Sequence, residues 1–466
     1  MSEPVAIVGA AVRFPGAETL DAYWDLLISG RSAVTEIPDG RWSKSAFFHP
    51  EPGQPGRSYT WAAGVLPQPG AFDAAFFGVS PREADQVDPQ QRLLLELAWE
   101  AIEDAGVPPS RLAGSRTGVF IGASGTEYGT LATADPAAGN AYFMTGTTTG
   151  IAANRLSYVF DLRGPSFIVD TACSSSVVAL HQACQAIRSG EVEAALAGGV
   201  NMLMTPYPFA GFCSASMLSP DGRCFAFDAR ANGYVRSEGA GVLLLKPLRQ
   251  ALADGDAIRA VIRGTGLNSD GRTMGLSLPN GEAQARLLRE VYEGAEVEAE
   301  ALGFIEAHGT GTAAGDPIEV GALGRELGRR RGRPLPIGSA KTNVGHLEVA
   351  SGMAGLVKAM LALEHRTVPP SINYETPNPN IDFADLNVEV VTRATSLGEG
   401  ELTAGVNSFG FGGTNAHAVL SAAPPRPVAA PAEEGPLPPL LISARSEVAL
   451  QELAAGWAER LAGRSA

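Results

Sequence analysis

The sequence predicts an α/β fold, and three observations carry that expectation. Short apolar, strand-like runs alternate with helix-like segments along most of the 466 residues. Glycine, at 55 residues, is spread throughout the chain instead of gathered into linkers, which reads as tight packing and turns. The polar clusters that could carry chemistry fall just after strand-like runs, where α/β sheets collect their sites. At 45% hydrophobic and 18% charged, the composition is that of an ordinary globular chain, long enough for one large or two medium domains.

Taken in order, residues 6–8 form the first strand pattern. Asp88-Pro89 then starts a helix, because Asp caps and Pro suits the first turn, and Gly106 ends it. Leu93, Leu94, Leu97, Ala98, Ala101 and Ile102 line its apolar face. Residues 117–121 read as a strand, as do 166–169. After the second comes a polar turn and a helix whose Val177, Leu180, Cys184 and Ile187 share one face. Residues 194–197, 241–245 and 260–263 are further strands, with a helical stretch at 248–253. In the second half, strands are expected at 303–307, 335–340, 403–406 and 416–420. A long helix spans 348–365, with Val349, Met353, Leu356, Val357, Met360 and Leu361 on one side. Its Ala350, Gly352, Ala354 and Gly355 permit close backbone approach, so this helix is expected to be buried. Residues 422–439, rich in Pro and Ala, read as a stiff linker, followed by a strand at 440–443 and a helix at 447–461. No internal sequence repeat is visible.

A net charge of −15 speaks against nucleic acid or an anionic membrane surface as the main partner. The cysteines at 173, 184, 213 and 224 show no C-x-x-C pair; with no secretory signal pattern they suggest a reducing, cytoplasmic setting. No apolar run reaches the length of a membrane span.

Cys173 is the first candidate for chemistry. It lies in Asp170-Thr171-Ala172-Cys173-Ser174-Ser175-Ser176, between a strand and a helix. A helix N-terminus offers free backbone N–H groups and the positive end of the dipole, conditions that lower a thiol pKa. The alternative is a small buried hydrophobe, a reading that suits Cys184 better. His308, in Glu306-Ala307-His308-Gly309-Thr310-Gly311-Thr312, and His346, in Lys341-Thr342-Asn343-Val344-Gly345-His346, each follow a strand. For either one alone, a hydrogen-bonded structural role is an equal alternative. No metal site is expected, since neither H-x-x-H nor H-x3-H occurs. A nucleotide site is not expected either, for lack of G-x-G-x-x-G or a P-loop. The glycine-rich Phe409-Gly410-Phe411-Gly412-Gly413-Thr414-Asn415 reads as a turn whose backbone can approach a ligand closely.

The Cys173, His308 and Lys341–His346 segments, together with Asn407-Ser408-Phe409-Gly410-Phe411-Gly412-Gly413-Thr414-Asn415, resemble the motifs of β-ketoacyl synthase (ketosynthase) domains of type I polyketide synthases, in that family's order and spacing. Asp88-Pro89-Gln90-Gln91-Arg92 and the run from Phe227 to Tyr234 are similar to it too. The resemblance covers about residues 4–421, and the tail resembles the linker that leads to an acyltransferase domain.

What the resemblance implies is specific. The fold would be a thiolase fold, five αβαβα layers made of two similar halves, residues 1–255 holding the nucleophile and 256–421 the two histidines; residues 422–466 would begin the linker. The activity would be polyketide chain elongation, with a homodimer as the working unit. Cys173 would take an acyl group, and His308 and His346 would stabilise an enolate. The N–H groups of Cys173 and Phe411 would form an oxyanion hole. Thr310 and Thr312 would hold a phosphopantetheine arm delivered by an acyl carrier protein, no cofactor being bound otherwise. Lys341 and Glu319 could form a supporting charge pair, with a surface lysine and a helix-start glutamate as an equal alternative; Phe212 and Met217 match a region that lines the acyl pocket in relatives, though as apolar residues they read first as plain core. Arg325, Arg329, Arg330, Arg331 and Arg333 read as a solvated helix end or, alternatively, a docking patch for the acidic carrier. Three other readings stay open: a thiolase or fatty-acid-type ketosynthase, a non-catalytic dimeric scaffold, and a cysteine hydrolase.

Overall fold

The computed structural model describes residues 3–425 and 439–462, apart from 126, 136, 138 and 401. Its frame is an 11-stranded sheet in two parts. The first contains β1 (Val5–Arg13), β2 (Thr117–Gly122), β3 (Ser166–Val169), β4 (Ala194–Asn201) and β5 (Gly239–Pro247). The second contains β6 (Ala260–Ser269), β7 (Leu302–Glu306), β8 (Leu335–Gly338), β9 (Val388–Val390), β10 (Thr403–Phe409) and β11 (Thr414–Ala422). Spatial order is β9-β8-β7-β10-β11-β6-β1-β5-β4-β2-β3. A short antiparallel pairing of β1 with β6 joins the parts, Val5 opposite Ile262 and Ile7 opposite Ala260.

The two parts repeat one topology. Setting β9 aside, each runs third–second–fourth–fifth–first in its own strand order. Directions also match: β2 is parallel to β3 and β4 as β7 is to β8 and β10, and β4–β5 and β10–β11 are both antiparallel. The helices follow suit. In the first part α1 (Pro89–Asp104), α2 (Ile151–Phe160) and α3 (Ser175–Arg188) follow successive strands; in the second α4 (Gly281–Ala295), α5 (Gly315–Glu326) and α6 (Ser351–Glu364) do. The duplication invisible in the sequence is therefore plain in the fold.

Packing explains the layers. α1 and α2 cover the outer face of the first part, and α4 and α5 that of the second. α3 and α6 touch strands of both parts and each other, so they form the central layer of five. β1 is buried along all but its last residue, the near-continuous apolar pattern of a strand covered on both faces. In α6 every residue from Ser351 to Leu363 is buried, as its small residues led one to expect. α1 begins as expected: Pro89 is in its first turn and the Asp88 carboxylate accepts the Gln90 N–H.

Some expectations need correction. α2, α4 and α5 do not figure among the helices read from the sequence, because glycine or proline in or beside their first turns interrupts the 3.6-residue pattern. Residues 440–443 form no strand; no neighbouring strand pairs with them, and Leu440 and Leu441 are exposed. The linker expected at 422–439 lies mostly outside the described residues, while Ala422 itself ends β11. The last helix is present at Glu447–Ala462 and buries none of its residues. The stretch between β8 and His346, expected to be a loop, holds a single helical turn, Lys341–Val344.

The central layer depends on one contact. A Cβ at Gly352 would lie 2.5 Å from Val177 Cγ2 and 2.6 Å from Ser176 Oγ, so α6 rests on α3 only because residue 352 has no side chain. Gly352→Ala is expected to cost about 1–3 kcal/mol of stability by overpacking, measured by urea unfolding. An unchanged midpoint and slope would show that the two helices have slack.

Candidate active site

Cys173 sits on the turn from β3 into α3. The residue before it, Ala172, has φ +56°, a left-handed conformation that costs a residue with a Cβ and persists only where neighbours enforce it. Hydroxyls do the enforcing. Ser175 Oγ accepts the Thr171 N–H at 2.9 Å and donates to the Ala172 carbonyl at 2.6 Å, and Ser174 Oγ meets Thr171 Oγ1 at 2.9 Å. The serines at 174, 175 and 176 are fully buried, so the polar crowd around Cys173 is a knot inside the protein. From the other half, Ser408 Oγ donates to the Cys173 carbonyl at 2.8 Å.

The glycine-rich turn after β10 closes on this knot. A Cβ at Gly410 would lie 2.4 Å from the Thr171 carbonyl oxygen, so only glycine lets the two turns meet. The approach brings the Phe411 N–H to the Cys173 sulfur, alongside the N–H of Cys173 itself.

His308 follows β7 and His346 follows the single turn after β8, on adjacent strands. Their rings stand edge to face with centroids 5.5 Å apart. His308 Nδ1 accepts the Phe409 N–H at 3.3 Å, and His346 Nδ1 accepts the Glu348 N–H at 3.0 Å. With both Nδ1 atoms acting as acceptors, the neutral rings carry their protons on Nε2. Burial holds both imidazoles well below their ordinary pKa, and the Lys341 ammonium pushes the same way. Both are neutral at pH 7.

The thiol departs from expectation. Burial pushes the Cys173 pKa up to about 12 and Glu348 adds to the rise, against the opposing pull of the Phe411 and Cys173 N–H groups and of Lys341. Desolvation of the sulfur outweighs the helix terminus expected to stabilise a thiolate, although by its exposed surface Cys173 is only half-buried.

Lys341 and Glu319 do not touch, but each acts on the other through its charge: Glu319 favours the Lys341 ammonium and Lys341 favours the Glu319 carboxylate. Glu319 instead accepts the backbone N–H of His308 at 2.6 Å, that of Gly309 at 2.8 Å and the Asn407 side chain at 2.8 Å. It positions the His308 loop through the backbone. Asn407 continues the network to His417 Nδ1 at 2.7 Å, whose Nε2 meets the Tyr292 hydroxyl at 3.1 Å. Lys341 is buried and acts on the site through its charge.

Two cavities meet at Cys173. The outer, about 430 Å³, is lined by Cys173, His308, His346, Thr310, Thr312, Glu319 and Phe411, with Met217 also on its wall. Thr310 Oγ1 and Thr312 Oγ1 are 3.0 Å apart there. The inner cavity, about 360 Å³, holds Cys173, Phe411 and Phe212 with Asn201, Glu127, Arg236 and Glu348. Every residue singled out for chemistry in the sequence therefore lies at this one place, save Lys341, which stands behind it. Sequence reasoning missed the inner wall. Arg236 is buried and paired to Glu348 at 2.5 Å; Glu348 stands two residues after His346, which is the one signal that could have drawn attention to it. The arginine cluster is engaged within the chain: Arg325 with Glu282, Arg329 with Asp385, Arg330 with Glu326, Arg333 with Glu300, and Arg331 with backbone carbonyls.

With this geometry in view, the comparisons with known proteins agree. The model of the beta-ketoacyl synthase N-terminal domain matches residues 2–251 and that of the C-terminal domain residues 259–375. The chain belongs to the β-ketoacyl synthase family. A ketoacyl-synthetase C-terminal extension matches residues 377–465 of this ketosynthase. It is 50% identical over 427 residues to a phenolphthiocerol/phthiocerol polyketide synthase of Mycobacterium tuberculosis, matching over 90% of its own length and 23% of that protein. To erythronolide synthase EryA2 of Saccharopolyspora erythraea it is 44% identical, over 99% of the chain and 13% of that protein. The ketosynthase thus spans under a quarter of these two curated relatives. Among solved structures it superposes on the oxazolomycin ketosynthase domain OzmH KS7 of Streptomyces albus with a TM-score of 0.94 at 40% identity, covering 99% of this chain and 81% of that one. The module 6 ketosynthase of the bacillaene synthase from Bacillus subtilis gives 0.89 at 36%, covering 99% and 78%. The fold is the thiolase fold, and the chain is a ketosynthase of the polyketide synthase kind.

The buried imidazoles carry a pH dependence. Burial holds His417 at a pKa of about 3, below its ordinary 6.5, so the unfolded chain binds the extra proton first. The stability it contributes is full above pH 6.5 and declines as pH falls toward 3; His308 and His346 share the sign. Urea unfolding should lose about 3 kcal/mol between pH 6.5 and pH 4 from His417 alone. His417→Gln should remove most of that slope, and an equally steep profile in the variant would rule out its contribution.

Proposed function

We propose that this ketosynthase elongates a polyketide chain by decarboxylative Claisen condensation of an acyl group on Cys173 with a malonyl-type unit on an acyl carrier protein. The observation that supports it is the single cavity shared by one thiol and two neutral imidazoles from distant loops. In the first half-reaction Cys173 Sγ bonds to the carbonyl carbon of an acyl thioester, and the carrier sulfur leaves with the proton that the Cys173 thiol gives up. In the second, the malonyl C–C bond breaks, CO2 leaves, and the electron pair remains as an enolate. The Nε2–H groups of His308 and His346 donate to its oxygen. The enolate carbon then attacks the acyl carbon, the Cys173 sulfur leaves, and it regains a proton. The N–H groups of Cys173 and Phe411 serve as oxyanion hole, each worth about 3 kcal/mol in the transition state.

The phosphopantetheine arm is substrate, not resident cofactor, and the outer cavity suits it: the hydroxyls of Thr310 and Thr312 line the way to the sulfur. Lys341 and Glu319 support the histidines, one by charge and the other by holding the His308 loop. Residues 1–255 supply the nucleophile, residues 256–421 the two histidines, and residues 422–466 lead toward an adjacent acyltransferase domain. We place the working enzyme in the cytoplasm, and no helix among the described residues is long and apolar enough to cross a membrane.

The working unit is a homodimer built on β3. This strand is at the end of the sheet, paired on one side only among the described residues. Beside its open edge Phe167 is 39% exposed, and Tyr158 and Met144, on the adjoining helices, are 86% and 67% exposed. An open apolar edge of this kind invites a second strand.

Cys173→Ala should remove all acyl-enzyme from intact-protein mass spectra while leaving a folded protein; acylation that persists would take Cys173 out of the mechanism. His308→Ala or His346→Ala should lower condensation by about 10²-fold or more while self-acylation stays within a few-fold. Equal loss of both steps would overturn that division of roles. Phe167→Lys should convert a dimer to a monomer in sedimentation, and an unchanged mass would move the interface elsewhere.

A further inference from the structure

Glu306 and Lys358 form an ion pair in the interior, Nζ to Oε2 at 2.6 Å, with side chains 3% and 0% exposed. Neither of these atoms makes a hydrogen bond among the described residues, so the two are held together by charge and proximity. The mechanism above uses neither group. We propose that this pair is a positioning device for the two catalytic imidazoles: Glu306, two residues before His308, binds the start of the segment that carries His346, and Lys358 anchors the Glu306 carboxylate in that posture. The proposal rests on the functional reading of His308 and His346.

The connections are direct. Glu306 closes β7, and its Oε1 accepts the Ala340 N–H at 2.6 Å. Ala340 precedes the single turn Lys341–Val344, which delivers His346. The Ala307 N–H also donates to the Gly338 carbonyl at 2.9 Å, so backbone and side chain both tie the end of one strand to the end of the next. Lys358 reaches this junction from α6, the helix that begins five residues after His346. The path for the carboxylate is narrow: a Cβ at Gly355 would stand 3.1 Å from Glu306 Cγ, and one at Gly338 would stand 3.2 Å from Lys358 Nζ.

Packing alone does not call for such a pair. The α6 residues flanking Lys358 in sequence, Leu356, Val357, Met360 and Leu361, are all buried. Apolar side chains of similar volume stabilise such a site as well as an ion pair or better, since two charges lose their hydration there. What the pair adds is placement, because the carboxylate is hydrogen-bonded at Oε1 by the Ala340 N–H while the Lys358 charge draws Oε2 to the other side. Its charge also reaches the site. Glu306 is the strongest charged influence keeping the Lys341 ammonium protonated against burial, and Lys341 in turn adds to the burial that keeps both imidazoles neutral.

The test uses the full chain with acyl and malonyl carrier proteins, following Cys173 acylation by mass spectrometry and decarboxylation by release of labelled CO2. Glu306→Asp keeps the charge and shortens the reach by one methylene. The double variant Glu306→Gln with Lys358→Met leaves no unpaired buried charge. Both are expected to acylate Cys173 within two-fold of the parent and to decarboxylate at least ten-fold slower, the loss falling on kcat and not KM. Parent-like decarboxylation in Glu306→Asp would overturn the proposal, and so would equal loss of acylation and decarboxylation, which assigns the pair to folding alone. His308→Ala and His346→Ala run alongside separate the two ideas: if they decarboxylate like the parent, it is the functional reading that fails.

Discussion

The site depends on how closely two central helices approach. α3 carries Cys173 at its head and α6 follows His346; each comes after the third strand of its half, and they meet where Gly352 presents no side chain to Val177 and Ser176. That contact sets the distance between halves. The backbone of the Cys173 turn is then gripped from the other half, by Ser408 at its carbonyl and by the tight fit of Gly410 against Thr171. A nucleophile and its partners drawn from opposite halves stay aligned because the layer between them cannot slide without breaking packed contacts.

Electrostatics at the site follow from the same burial. Removing water favours neutral forms, which raises the thiol and lowers the imidazoles together. For the histidines this matches the chemistry assigned to them, since a neutral Nε2–H can donate to a developing enolate without surrendering its proton. For the thiol, the acylation proposed above would build charge on sulfur beside the Cys173 and Phe411 N–H groups. The fixed Nδ1 bonds from Phe409 and Glu348 orient both rings before any substrate arrives.

Around the site stand carboxylates that brace it. Glu319 grips the His308 backbone, Glu306 spans to the His346 segment, and Glu348 pairs with Arg236 on the inner wall. Each is buried or half-buried and each accepts backbone N–H groups or a cation. They act as braces for loops that would otherwise carry unsatisfied backbone groups in a dry interior.

The sequence by itself determined the class of fold, the order of strands and helices around each motif, and the identity of the thiol and imidazoles, because strand and helix periodicity and short motifs are local properties of the chain. It did not show the duplication, since the halves share strand order and direction, not residues. It missed α2, α4 and α5, where glycine or proline obscured the pattern, and it assigned a strand at 440–443 where no partner strand exists. It also expected a depressed thiol pKa and a Lys341–Glu319 pair. Burial reverses the first and the second acts through charge without contact, because charge state and pairing depend on what surrounds a group in three dimensions. Only the tertiary structure decided that Cys173 lies half-buried where two cavities meet, that Glu319 turns toward a backbone, and that Lys358 meets Glu306 across 52 residues of chain, since desolvation and contact arise when distant segments meet.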